Sequence, residues 1–260
     1  MNTLYFEKIS RFDRQAEPVT VSIPFAPGKL TDPRALVIRD GDAALPAQCR
    51  VLATWPDGAH PAGGGIKWLL VHLQLDLPGN ADKTLRFEIT DAAPEPEPKP
   101  QATIKVIETP DGIVVDTGPL SFLVPNVGFL PIRDVQLDGV PLLWGETPFT
   151  GFTLRYDGQE VSSASGPVAL EIEEAGPLRA VILVKGKHRR PDGTAYLDLR
   201  GRVTAYAGKS YVEVEHQFIH AEEAAELSLE AIELAFAPQG GENARLALGQ
   251  GYYRTAIEES

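Results

Sequence analysis

The chain has little of what usually announces a chemistry. Its 260 residues include one cysteine, Cys49, and one methionine. A lone thiol in an alternating segment excludes a disulfide framework and reads as a buried free cysteine rather than a nucleophile. Basic residues are scarce, with 24 Lys and Arg against 36 Asp and Glu, a formal charge of −12. That field repels a phosphate backbone or an anionic bilayer, so nucleic acid and membrane are excluded as partners. Long apolar runs are missing too. The segment Met1 to Thr20 carries Glu7, Lys8, Arg11, Asp13, Arg14 and Glu17, which leaves no signal peptide or spanning segment and gives a cytoplasmic expectation. Helix-favouring composition occurs only at Ala221 to Leu227, too short to be stable without packing, so a turn or one short helix is expected there.

Turn residues and alternation are what the chain does have. Its 24 glycines and 22 prolines are spread at short intervals, the punctuation of many short strands, and the fold class expected is all-β. The clearest boundary is Ala92 to Gln101, with proline at every second position; lost amide donors and fixed φ favour an extended spacer. This divides the chain into a small β-barrel over residues 1–91, a linker over 92–101 and an antiparallel β-sandwich over 102–260. Before the linker lie six strand-like runs, Leu4 to Ile9, Val19 to Phe25, Ala35 to Arg39, Ala47 to Trp55, Ile66 to Leu77 and Thr84 to Thr90. Barrel closure is the usual way for so small a module to dispose of its edges.

After the linker the alternation continues, with Asp-Gly pairs at 111–112, 138–139, 157–158 and 192–193 as hairpin turns. In Ser210 to His220, Val212, Val214, His216, Phe218 and His220 share one face, while Tyr211, Glu213, Glu215 and Gln217 share the other.

Several segments resemble a known family. Pro18 to Phe25 followed by Ala26-Pro27-Gly28, then Leu45-Pro46-Ala47-Gln48, Trp55-Pro56-Asp57-Gly58 and Ile66-Lys67-Trp68-Leu69-Leu70-Val71 occur in the order found in the N-terminal small barrel, of RIFT type, of exo-rhamnogalacturonan lyases. In that family the second tryptophan follows the Trp-Pro-Asp-Gly turn closely, whereas here Ala59 to Gly65 intervenes. Asp116-Thr117-Gly118, Arg202-Val203-Thr204-Ala205-Tyr206-Ala207-Gly208 and Val212-Glu213-Val214-Glu215-His216 are similar to the sandwich that follows the barrel in those lyases. The resemblance implies a non-catalytic β region supporting a helical α/α toroid, a domain that these 260 residues are expected to lack. A carbohydrate-binding or scaffold module that docks a separate helical subunit is the alternative.

A uronate lyase needs a carboxylate clamp, a base and an acid. No spacing here forces such groups together, so no catalytic residue is assigned, and neither cofactor nor metal is expected. His216 and His220 would chelate on a helix, but on a strand that spacing sets the rings about 13 Å apart. Gly63 to Gly65 lacks the ending of a phosphate loop. His60 reads as a solvated loop residue, and Glu222, Glu223 and Glu226 as a solvated turn. Trp55, Trp68 and Trp144 are of a type that stacks on sugars, although core or turn packing is the expectation.

The most suggestive feature is a basic hairpin in an acidic protein. Between Arg179 and Arg202 seven Lys or Arg stand against two Asp. A two-residue turn at Asp192-Gly193 sets Lys187 opposite Asp198, Lys185 opposite Arg200 and Arg189 opposite Tyr196. Lys185, Lys187, Arg189, Tyr196 and Arg200 are therefore the candidate substrate-binding residues. Their partner would be a uronate-containing oligosaccharide or an acidic surface of a helical catalytic domain or subunit.

Overall fold

The computed structural model describes residues 2–58, 64–91, 98–142, 144–221, 226, 228–238, 245–249 and 255–259. The described residues are almost wholly β, with one 3-10 turn at Pro33–Ala35. The expectations on His60, on linker residues 92–97 and on residues 222–225 and 227 lie outside the described residues.

Seven strands form the first half: β1 (Thr3–Phe6), β2 (Arg14–Pro24), β3 (Leu36–Asp40), β4 (Ala43–Ala44), β5 (Gln48–Thr54), β6 (Ile66–Leu77) and β7 (Lys83–Ile89). All six expected runs are present, and the two-residue β4 is added across a tight turn at Gly41. They pair as β1-β7-β3-β4 and β2-β6-β5 around one core of Ile23, Leu30, Ile38, Leu69, Val71, Leu73 and Leu85. Burying each such side chain stabilises by roughly 1.5 to 3 kcal/mol. Strand β6 shows the period of two: Leu69, Val71, Leu73, Leu75 and Leu77 point into that core. His72, on the opposite face, is nevertheless only 2% exposed, so something other than the barrel covers it.

The second half comprises β8 (Lys105–Thr109), β9 (Gly112–Asp116), β10 (Leu120–Pro125), β11 (Arg133–Leu137), β12 (Val140–Pro141), β13 (Trp144–Tyr156), β14 (Gln159–Ser162), β15 (Ala169–Ala175), β16 (Arg179–Arg189), β17 (Ala195–Tyr206), β18 (Val212–Ile219) and β19 (Leu229–Pro238), with β20 (Arg245–Gly249) and β21 (Thr255–Glu259) as a separate hairpin. A five-stranded sheet, β12-β11-β10-β9-β8, and a seven-stranded sheet, β18-β17-β16-β14-β13-β19 with β15 on β16, share a second core that includes Phe122, Val124, Phe129, Ile182, Val184 and Val203. Gly201 sits where a Cβ would come within 2.2 Å of the Phe129 ring. Two of the segments that carried the family resemblance touch here, since the buried Thr117 hydroxyl donates to the Lys209 carbonyl at 2.6 Å and the Gly208 amide donates to Thr117.

Two of the four Asp-Gly pairs are two-residue hairpin turns with positive φ at both positions, 138–139 and 157–158. The other two correct the expectation. Gly112 is a strand residue paired with Thr109, its missing Cβ making room for the Val124 carbonyl, and the turn is Pro110-Asp111. At the second, a two-residue turn would pair Pro191 with Thr194, and Pro191 has no amide to donate across that pair. The chain instead closes a turn from the Gly193 amide to the Arg190 carbonyl, with Gly193 left-handed. The register slips by one, and Arg189 faces Ala195 rather than Tyr196.

Candidate functional site

The hairpin's basic face is built as the alternation implies up to that slip, with Lys185 opposite Arg200 and Lys187 opposite Asp198. Its charge is not left open. Strand β15 runs along the far edge of β16, and a bulge between Ile172 and Glu174 brings Glu171, Glu173 and Glu174 all to the outer side. Lys185 donates to Glu171 at 2.6 Å, Lys187 pairs with Asp198, and Arg202 holds Glu173 through two nitrogens at 2.6 and 3.0 Å. The Arg202 guanidinium lowers the pKa of the Glu173 carboxyl. Arg189 turns back to the Gly193 carbonyl and lies against Gly166, while Tyr196 stacks on Tyr156 beneath the Arg190 guanidinium. Arg200 is exposed, with no ion pair among the described residues.

A second constellation forms where barrel meets sandwich. Gln48 of β5 accepts from the amides of Leu178 and Arg179 at 3.0 and 2.9 Å and donates to the Arg179 carbonyl at 3.0 Å. Gly176 is required opposite it, because a Cβ there would stand 2.1 Å from the Gln48 amide. Gln74 donates to the Ala207 carbonyl at 2.7 Å and Lys209 to the Gln15 carbonyl at 2.9 Å. Inside this seam the buried Glu174 carboxylate meets Arg179 at 2.9 Å, Arg50 at 3.2 Å and His72 at 3.2 Å. His72 turns Nδ1 to the Thr20 hydroxyl at 2.8 Å. Burial holds its pKa below the ordinary 6.5 against the pull of Glu174. The neutral ring donating through Nε2 to the carboxylate and accepting from Thr20 fits these contacts. Linker residues Pro98, Lys99 and Pro100 line a cleft of about 380 Å³ beside the seam, together with Pro33, Pro46 and Pro177.

Within the sandwich His216 meets a second histidine. His188, fully buried, and His216 approach at 2.9 Å through their Nε2 atoms. His188 Nδ1 faces the Leu197 carbonyl at 3.3 Å, which assigns it the proton and makes His216 Nε2 the donor between the rings. Phe152 stacks on His216 at 3.9 Å. No three His, Cys, Asp or Glu side chains among the described residues are arranged to hold a metal ion. Trp55 is a turn residue, its indole donating to the Phe25 carbonyl with Lys67 over the ring. Trp68, by contrast, is 40% exposed, against the expectation of packing; the Trp144 side chain lies outside the described residues. Cys49 is half-buried, and burial pushes its thiol up to about 11, away from a nucleophile.

Residues 8–72 match the PcRGLX-like N-terminal RIFT barrel domain, and residues 104–243 match the PcRGLX-like protein central beta sandwich domain. The chain belongs to the PcRGLX-like family. It is also similar to the uncharacterized protein YetA of Bacillus subtilis strain 168, 26% identical over 211 residues that make up 76% of this chain and 22% of that protein. The chain therefore spans about a fifth of the length of that relative.

In this PcRGLX-like barrel and sandwich, sequence reasoning missed two groups. Glu174 was hidden because strict alternation puts residues 172 and 174 on one face, and only the bulge separates them. His188 was hidden because its partner lies 28 positions away. The signal available was the long basic strand itself: seven cations on one hairpin need counter-charges, and Glu171, Glu173 and Glu174 precede it directly.

Proposed function

We propose that this chain is the non-catalytic N-terminal β region of an exo-rhamnogalacturonan lyase-like protein, a support for a helical catalytic domain in pectin-type polysaccharide breakdown. The observation that carries the reading is the barrel followed by the sandwich, matched in that order to the two PcRGLX-like domains. The seam supports it physically. The Gln48 and Gln74 hydrogen bonds and the Glu174 cluster tie the two halves together, and such a support holds a neighbouring cleft to the tolerance catalysis needs. Bond cleavage then belongs to the helical domain. The purified chain is expected to be inert when incubated with rhamnogalacturonan fragments and followed by the ultraviolet absorbance of the unsaturated product. A steady rise from the chain alone overturns the reading.

Of the nominated residues, Arg200 and its neighbour Lys185 stay with this reading as the contact for a uronate or for an acidic surface of the helical domain or subunit. The double replacement Lys185→Gln and Arg200→Gln is expected to weaken uronate-oligomer binding. Unchanged titration curves remove this face from consideration.

A further inference from the structure

We propose that the outer face of the barrel's three-stranded sheet is a binding site for an acidic oligosaccharide, with one pyranose stacked on Trp68 and the carboxylate of a neighbouring uronate held by Arg50. Strand β6 is the middle strand of β2-β6-β5, and Trp68 stands on it opposite Pro24 of β2 and Ala53 of β5. Both neighbours are small, so nothing on the flanking strands of that row overhangs the indole, which is 40% exposed. A large flat indole left open on the central strand of a sheet is unusual for a residue type that ordinarily buries most of its surface.

The next row towards the seam is Ser22, Leu70 and Arg50, about 7 Å along β6. Arg50 is already aimed. Its Nε lies 3.2 Å from Glu174 Oε1, and its terminal nitrogens make no hydrogen bond among the described residues. Tethering through Nε removes part of the entropy that an arginine loses on binding and leaves the planar fork for a bidentate carboxylate. The local charge also favours an anion. Arg50 and Arg179 share the single buried Glu174, His72 is kept neutral by burial, and Glu173, the other carboxylate that feels Arg50, is engaged by Arg202.

An aromatic platform one step from a preset guanidinium suits a polymer in which a sugar with an apolar face alternates with a uronate. The choice of rhamnogalacturonan as that polymer rests on the lyase-like reading; the geometry does not. The experiment titrates the purified chain with acidic rhamnogalacturonan oligosaccharides and with the same oligosaccharides after carboxyl reduction, by calorimetry and tryptophan fluorescence. Trp68→Ala is expected to weaken both ligands roughly tenfold. Arg50→Gln is expected to weaken the acidic ligand by a similar factor, on the order of tenfold, and to leave the reduced one unchanged. Because Arg50 also braces Glu174, melting temperatures of both variants are compared with the parent chain, and Trp68→Phe, which keeps a ring, should retain most of the affinity. Equal binding by Trp68→Ala and the parent, as expected of an indole reserved for a protein partner, overturns the proposal. So does failure of the parent chain to bind either ligand. Unsaturated product from the chain alone would sink the non-catalytic reading and leave this site standing, so the two fail separately.

Discussion

Two imidazoles facing each other inside the sandwich make His188 and His216 sensitive to acid. Burial pushes both down to about 4, and for His216 the neighbouring His188 adds to the shift. In the unfolded chain they titrate near 6.5, so between pH 6.5 and 4 the unfolded state binds more protons. Stability is full above that window and falls as pH drops through it, by roughly 1.4 kcal/mol per pH unit for each ring at most. Thermal melting followed from pH 7 to pH 4 is expected to show a steep loss. His188→Phe with His216→Phe is expected to flatten the slope across the window, whatever it does to stability at pH 7; an unchanged slope would contradict the assignment. Part of this was legible beforehand. The inward face of His216 follows from the alternation of Val212, Val214 and Phe218, and the observed burial follows it. The identity of the partner was not, because a hydrogen bond between β16 and β18 is set by how strands on either side of β17 stack, not by local spacing.

Strand β15 decides the character of the hairpin beside it. Read alone, Arg179 to Arg202 is a basic ribbon; with β15 in place, Glu171 and Glu173 answer Lys185 and Arg202. These are partly exposed pairs, each worth about 1 kcal/mol or less. Replacing both Glu171 and Glu173 by Gln is therefore expected to leave urea stability within about 1 kcal/mol. It should also strengthen salt-sensitive retention on a polyanion column relative to the parent chain. Retention identical to the parent would mean that β15 does not neutralise the hairpin. The pairing of Lys185 with Arg200, expected from a two-residue turn, is met because an irregularity between Lys187 and Arg189 offsets the longer turn. The pairing nearest the turn is not, since Pro191 forced a longer connection, and a single residue of slip moved Arg189 away from Tyr196.

Across the whole molecule, barrel and sandwich each have a core of their own, and the seam couples them through a few polar groups. Gln48 supplies three hydrogen bonds from one side chain, and its removal strands the Leu178 and Arg179 groups in a part-buried site. Gln48→Ala is expected to cost about 1 to 3 kcal/mol and to split a single calorimetric transition into two, as the halves begin to unfold separately. One unbroken transition would show that the coupling lies elsewhere. By itself the sequence determined the all-β class, the six principal barrel strands and the inward face of β18, because period-two alternation and turn residues act over a few neighbouring positions. Only the tertiary structure decided that Glu174 lies buried among Arg50, His72 and Arg179, that β15 cancels the basic face, and that Trp68 stays open. Each of those depends on a bulge, a docked edge or the side chains that flank a row across the sheet, and no local periodicity carries that information.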